Sequence, residues 1–254
     1  MNEPAPKLPK TLQDWREAKA DAAKDTFAEF HDSIELVELS LSYMTELFNS
    51  VMPLSVKESR VFLVYMLTAT QRLLLNALDL LLERQHTEYL AILRPAVEMA
   101  ADAAKIGRDP NLAICWMNRD VDEAAYNKAF KPQFPRGDPL TGPLFIAYNM
   151  TTEIGTHSNA SLFLFHIERD KNSLRDNVSH FLVDSRQLRW FMVHLVAVAE
   201  RILRVYAEGL KPIAKVDFTV KLGILHNAVA GHCAKYRSIF ESKTDKDSSS
   251  DPKA

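Results

Sequence analysis

Seven glycines serve all 254 residues of this chain, where average usage would supply roughly 18. Tight turns and hairpins lean on glycine for backbone conformations with positive φ. A chain this poor in glycine is a bad candidate for a hairpin-rich fold and a good one for helices joined by few, mostly polar connections. The hydrophobic share of 47% and the charged share of 25% are ordinary for a globular protein, and the length suffices for a proper core.

Helical periodicity carries the same message. Ile34, Val37, Leu41, Met44 and Leu47-Phe48 recur at helical spacing, so a first helix is expected over roughly 11–30, continuing with a bend to 49. Pro53 breaks the chain, and Ser55 with Glu58 is a capping-box pair that opens a helix to about Arg84. The next helix is expected from about Thr87 to Ile106 with Pro95 inside it. The proline removes one donor and presses on the carbonyl of Ala91, which predicts a kink; the alternative is a fresh start at Pro95. Asp109-Pro110 reads as an N-cap with a first-turn proline, opening a helix to about Phe130.

Residues 131–143 hold four prolines and two glycines and read as a long, mobile loop. A helix from about Pro143 to His157 follows. Over 158–183 the periodicity does not decide, because Leu162, Leu164 and His166 alternate with the equally apolar Phe163, Phe165 and Ile167. Asp184 caps a helix to about Glu208, and Pro212 restarts a last one to about Phe240. The expected fold class is all-α, a bundle of six to eight helices with room for one small β-hairpin around 160–183. The helices over 61–83 and 90–106 are expected at its centre. Residues 1–10 read as a flexible arm, 11–241 as a single helical domain and 242–254 as a disordered tail.

Composition narrows the function classes. A net charge of −2 leaves no basic excess to neutralise phosphates, which argues against obligate DNA binding. Cys115 and Cys233 stand far apart, outside any paired motif, and read as small buried apolar residues of a reducing cytosol. The N-terminal residues lack the apolar core of a secretory signal. The longest apolar stretch worth testing, Trp190–Ala199, is interrupted by His194 and ended by Glu200-Arg201, well short of the roughly 20 residues that span a bilayer. The expectation is a cytoplasmic protein with no membrane span and no cofactor, whose partner is an unidentified ligand, another protein or a second copy of the chain. There is no Gly-rich phosphate loop, no Gly-x-Ser-x-Gly elbow and no catalytic cysteine context.

The polar residues inside apolar helices carry the functional signal. Tyr65, Thr68, Arg72, Asn76, Asp79 and Glu83 form one stripe; Thr87, Arg94, Glu98, Asp102 and Lys105 form another. Each is either a solvated face laced by i,i+4 ion pairs or one wall of a shared internal site, with an Arg–carboxylate network near Pro95. Arg94 precedes Glu98, the less favourable order for an exposed pair. Glu153 and His157 share a helix face, a spacing that suits a base and its orienting group. Two ligands do not make a metal site, so no metal is expected.

The order Arg94-Pro-Ala-Val-Glu98, a helix opening at Asp109-Pro110, then Tyr148-x3-Thr152-x4-His157-Ser158 resembles a widespread bacterial family of helical domains of unknown function. The resemblance covers roughly 60–210. It implies that Arg94, Glu98, Tyr148, Thr152 and His157 form one polar cluster, and it implies no activity. Separately, Arg175-Asp-Asn-Val-Ser-His180 resembles the active-site signature of the HEPN helical ribonucleases. That resemblance implies a metal-independent ribonuclease, commonly dimeric, with His180 as general acid or base and Arg175 stabilising the charged phosphorane. Arg186 with Arg189 and Arg201 with Arg204 could add a basic ridge.

The leading expectation is a binding or regulatory module whose pocket surrounds Arg94, Glu98 and His157, with Arg94 offering a planar donor fork to an anion or carboxylate. A ribonuclease using Arg175 and His180 comes second. A hydrolase using Glu98 or Glu153 with His157 comes third.

Overall fold

The computed structural model describes residues 11–52, 60–135, 137–153, 167–169, 176–178 and 185–247. These residues form an all-α multi-helix bundle. Its helices are α1 (Leu12–Glu29), α2 (His31–Val51), α3 (Val61–Leu82), α4 (His86–Arg108), α5 (Leu112–Met117), α6 (Glu123–Phe130), α7 (Leu144–Glu153), α8 (Ser185–Leu210) and α9 (Thr219–Asp247). Two short strands, β1 (Ile167–Arg169) and β2 (Asp176–Val178), pair antiparallel with Glu168 opposite Asn177. The expected Ser55–Glu58 cap and the arm over 1–10 lie outside the described residues. The last helix reaches Asp247, into the segment expected to be a tail.

Local chemistry explains the boundaries. Thr11 and Asp14 form a reciprocal capping box, each side chain accepting the other's backbone N–H at 3.0 Å, which opens α1. Phe30 separates α1 from α2 with its ring fully buried, the bend expected in the first long helix. α3 ends where Arg84 takes a left-handed φ of 58° and the Gln85 N–H returns to the Leu80 carbonyl over 2.8 Å. α4 runs unbroken through Pro95, so it does not start afresh there. The helix expected to run on to Phe130 is two helices. The Asp122 carboxylate accepts the Ala125 N–H at 2.9 Å and so caps a new start.

α4 and α8 occupy the centre. α4 packs against α3, α8 and α7, while α8 also packs against α2, α3 and α9. The two helices approach each other closely at a glycine pair, where a Cβ built on Gly107 would sit 2.8 Å from the Gly209 Cα. The Thr70 hydroxyl and Tyr206 hydroxyl meet at 2.7 Å, joining α3 to α8 inside the core. α3 packs on α4, α8, α2 and α1, yet one of its faces is open. Tyr65, Thr68, Arg72, Asn76 and Asp79 are exposed, so this stripe is a solvated face and does not oppose the stripe of α4. Among the described residues α3, and not Trp190–Ala199, is the helix long and apolar enough to cross a membrane by length and composition. Its apolar side is spent on the core: Leu63, Leu67, Leu74 and Leu81 are fully buried.

Candidate functional site

The stripe of α4 lines a cleft. Arg94, Glu98 and Asp102 lie one turn apart on the face that α5, α6, α7 and residues 131–134 cover. They share a cavity of about 340 Å³ with Pro95, Trp116, Arg119, Tyr126, Lys131, Gln133 and Tyr148. Arg94 Nε donates to Glu98 Oε1 over 2.9 Å with both side chains about one-third exposed (30% and 34%). The Arg94 guanidinium also lies 5.6 Å from the Tyr148 ring centroid, and Tyr148 in turn rests on Phe134 with ring centroids 4.9 Å apart. The hydrogen bond to Glu98 holds the Arg94 pKa above its ordinary value.

Asp102 is the floor, with only 4% of its surface exposed. Its Oδ2 accepts Trp116 Nε1 at 3.0 Å and the Tyr126 hydroxyl at 2.9 Å; its Oδ1 accepts Gln133 Nε2 at 3.0 Å. Burial pushes the Asp102 carboxyl above the usual range, and these three donors pull it back. Burial and the neighbouring Asp102 charge likewise raise the Tyr126 hydroxyl. The three donors come from α5, α6 and the stretch after it, so the acid draws three segments onto α4. Arg119 lies over the Trp116 ring at 4.5 Å.

Of the residues expected to cluster, Arg94, Glu98 and Tyr148 do so. Thr152 lies one turn beyond Tyr148 and donates to the Tyr148 carbonyl over 2.8 Å, an i−4 bond within its own helix. His157, Arg175 and His180 lie outside the described residues, and Glu153 marks the end of α7. Trp116, Arg119, Tyr126, Lys131 and Gln133 were not anticipated. The one signal available for them was that Trp and Tyr near an acid-bearing helix need partners for their N–H and O–H when buried.

Two further polar clusters hold helices together. Glu200, 1% exposed, accepts Arg204 at 2.6 Å and lies 3.4 Å from Arg201 and 3.3 Å from His226 Nδ1. Arg189 pairs with Glu29. The supposed basic ridge is therefore largely neutralised by acids from its own helix and from α1. Ser33 Oγ lies 2.9 Å from His232 Nε2, and Asp32 Oδ2 lies 3.8 Å from His232 Nδ1. These are the residue types of a nucleophilic triad, but Ser33 has no exposed surface and Asp32 is held by Lys235 and Tyr236. The arrangement ties α2 to α9.

Among the described residues no group of three or more His, Cys, Asp or Glu is placed to hold a metal ion. Fold and site define a helical bundle with an acid-floored, cation-rimmed cleft. No known protein family, characterised protein or solved structure matches the chain.

Proposed function

We propose that the protein is a binding module that takes a small carboxylate-bearing molecule into the cleft on α4, with the Arg94 guanidinium as the anion receptor. The observation that carries this reading is the charge layout of the rim. Arg94, Arg119 and Lys131 all line the cleft, and Glu98 is the acid that accepts from Arg94. Glu98 takes the Nε of Arg94, which fixes the plane of the guanidinium, and the fork of terminal nitrogens is what a planar carboxylate meets in bidentate fashion. A volume of about 340 Å³ falls in the range of small-molecule pockets. Cys115 and Cys233 are both free thiols, which supports a reducing, cytoplasmic setting. Arg175 and His180 lie outside the described residues, and Asp176–Val178 between them form the strand β2, not a helix, which lends the ribonuclease reading no support.

The test is calorimetric titration with pentanoate, backed by thermal melting in the same salt. Wild-type protein is expected to bind and to melt higher as the ligand populates the folded state. Arg94→Ala is expected to fold normally, because its partner Glu98 is partly solvated, and to lose the binding. Equal binding by wild type and Arg94→Ala would remove Arg94 as the receptor.

A further inference from the structure

The floor of the cleft differs chemically from its rim. Asp102 is almost fully buried, yet its three partners are the neutral donors Trp116, Tyr126 and Gln133. Among the described residues no Lys, Arg or His nitrogen lies within ion-pair distance of its oxygens. The nearest cations are engaged elsewhere. Lys105, on the same helix, gives its ammonium to the carbonyls of Ala129 and Pro132 at 3.3 and 3.0 Å. Arg119 lies against the Trp116 ring face, while that ring's N–H reaches Asp102.

A buried carboxylate is stable when it is both hydrogen-bonded and charge-compensated. Asp102 has the first, but the second reaches it only at a distance, from Arg119 and Lys105, with no direct ion pair. A carboxylate offers about four acceptor positions; Oδ2 uses two and Oδ1 uses one. The remaining position on Oδ1 belongs to a side chain that lines the cleft. A donor that also brings positive charge is what this position lacks.

We infer that the cleft recognises a zwitterion, an amino-acid-like molecule whose carboxylate meets Arg94 and whose ammonium meets Asp102. The inference rests on the proposed role of Arg94 as carboxylate receptor and adds the second group. The spacing suits it. The Arg94 Nε pairs with the Glu98 carboxylate, and Glu98 and Asp102 are separated by one helical turn, about 6 Å of rise. A short chain carrying a carboxylate at one end and an ammonium at the other spans that distance. The pairing is also selective, since a doubly anionic ligand would meet Asp102 with like charge.

The experiment is a matched titration of wild type, Arg94→Ala and Asp102→Asn with three probes: 5-aminopentanoate, pentanoate and pentylamine. Asp102→Asn can keep the fold. Its Oδ1 accepts Trp116 and Tyr126 as the Asp102 Oδ2 does; the Gln133 bond is lost, while Gln133 keeps its bond to the Glu98 carbonyl. Wild type is expected to bind 5-aminopentanoate at least tenfold more tightly than either single-headed probe. Asp102→Asn should remove the preference, so that 5-aminopentanoate and pentanoate bind that variant with equal affinity. The wild-type comparison stands even if Asp102→Asn does not fold. If pentanoate binds through Arg94 and 5-aminopentanoate binds no better, the zwitterion inference is overturned and the carboxylate reading survives. If none of the three probes binds wild type, both are overturned.

Discussion

The indole N–H of Trp116 donates to Asp102 Oδ2 over 3.0 Å, joining a six-residue helix to the central helix of the bundle. Short helices such as α5 and α6 are too short to be stable alone. Tyr126 and Gln133 reach the same carboxylate from α6 and the stretch beyond it. One buried acid thus organises the covering wall of the cleft.

Tyr126→Phe tests that organisation. The ring keeps its stack on Phe130, centroid to centroid 4.9 Å, and only the hydroxyl donor is lost. Hydrogen bonds to charged groups contribute about 1.5–3 kcal/mol, so the urea midpoint should fall by the equivalent of a loss in that range. An unchanged midpoint would mean that the hydroxyl contributes nothing to the floor.

The α4–α8 crossing makes a paired prediction. Gly107→Ala forces a Cβ to 2.8 Å from the Gly209 backbone, where no side chain can move aside, and should cost about 1–3 kcal/mol. Gly223 in α9 has open space around its missing Cβ. Gly223→Ala should therefore stabilise by about 0.5–1 kcal/mol through helix propensity. Thermal melts of the two variants should move in opposite directions; parallel shifts would contradict the placement of this crossing.

His194 sets a pH dependence. Its Nδ1 meets the Tyr89 hydroxyl at 3.1 Å, and burial holds the imidazole pKa down to about 4 from an ordinary 6.5. The unfolded chain takes up the proton near 6.5 and the folded chain only near 4, so acidification across that window favours unfolding. The contribution is complete above about pH 6.5 and is lost as pH falls toward 4. Urea midpoints measured from pH 7 to 4.5 should decline more steeply in wild type than in His194→Gln. Identical slopes would show that His194 is not held neutral.

The sequence was informative where one helix sufficed and silent where two segments had to meet. The Arg94–Glu98–Asp102 stripe follows from helical spacing alone, and it does face a cleft. The stripe from Tyr65 to Glu83 has the same spacing, yet Tyr65 is 63% exposed. Periodicity defines a stripe but not what covers it. The cover came from residues 109–134, read as one helix followed by a mobile loop. Two facts hid it. Asp122 caps a second start within that helix, and Gln133 leaves the loop to bond Asp102 over 31 residues of sequence. Thr152 had the right helix face for the cluster, and its hydroxyl donates to the Tyr148 carbonyl. α3 packs extensively on α4 as expected but keeps a solvated face, whereas α8 buries residues from Leu188 to Leu210 on several sides.

The most direct test of the cleft as a binding site uses the three indole N–H groups of Trp15, Trp116 and Trp190 as resolved resonances in a proton–nitrogen correlation spectrum. Only Trp116 lines the cleft. Titration with pentanoate is expected to move the Trp116 resonance along a saturable curve while Trp15 and Trp190 stay in place. A Trp116 resonance that does not move, or three resonances that drift together without saturation, would contradict the account.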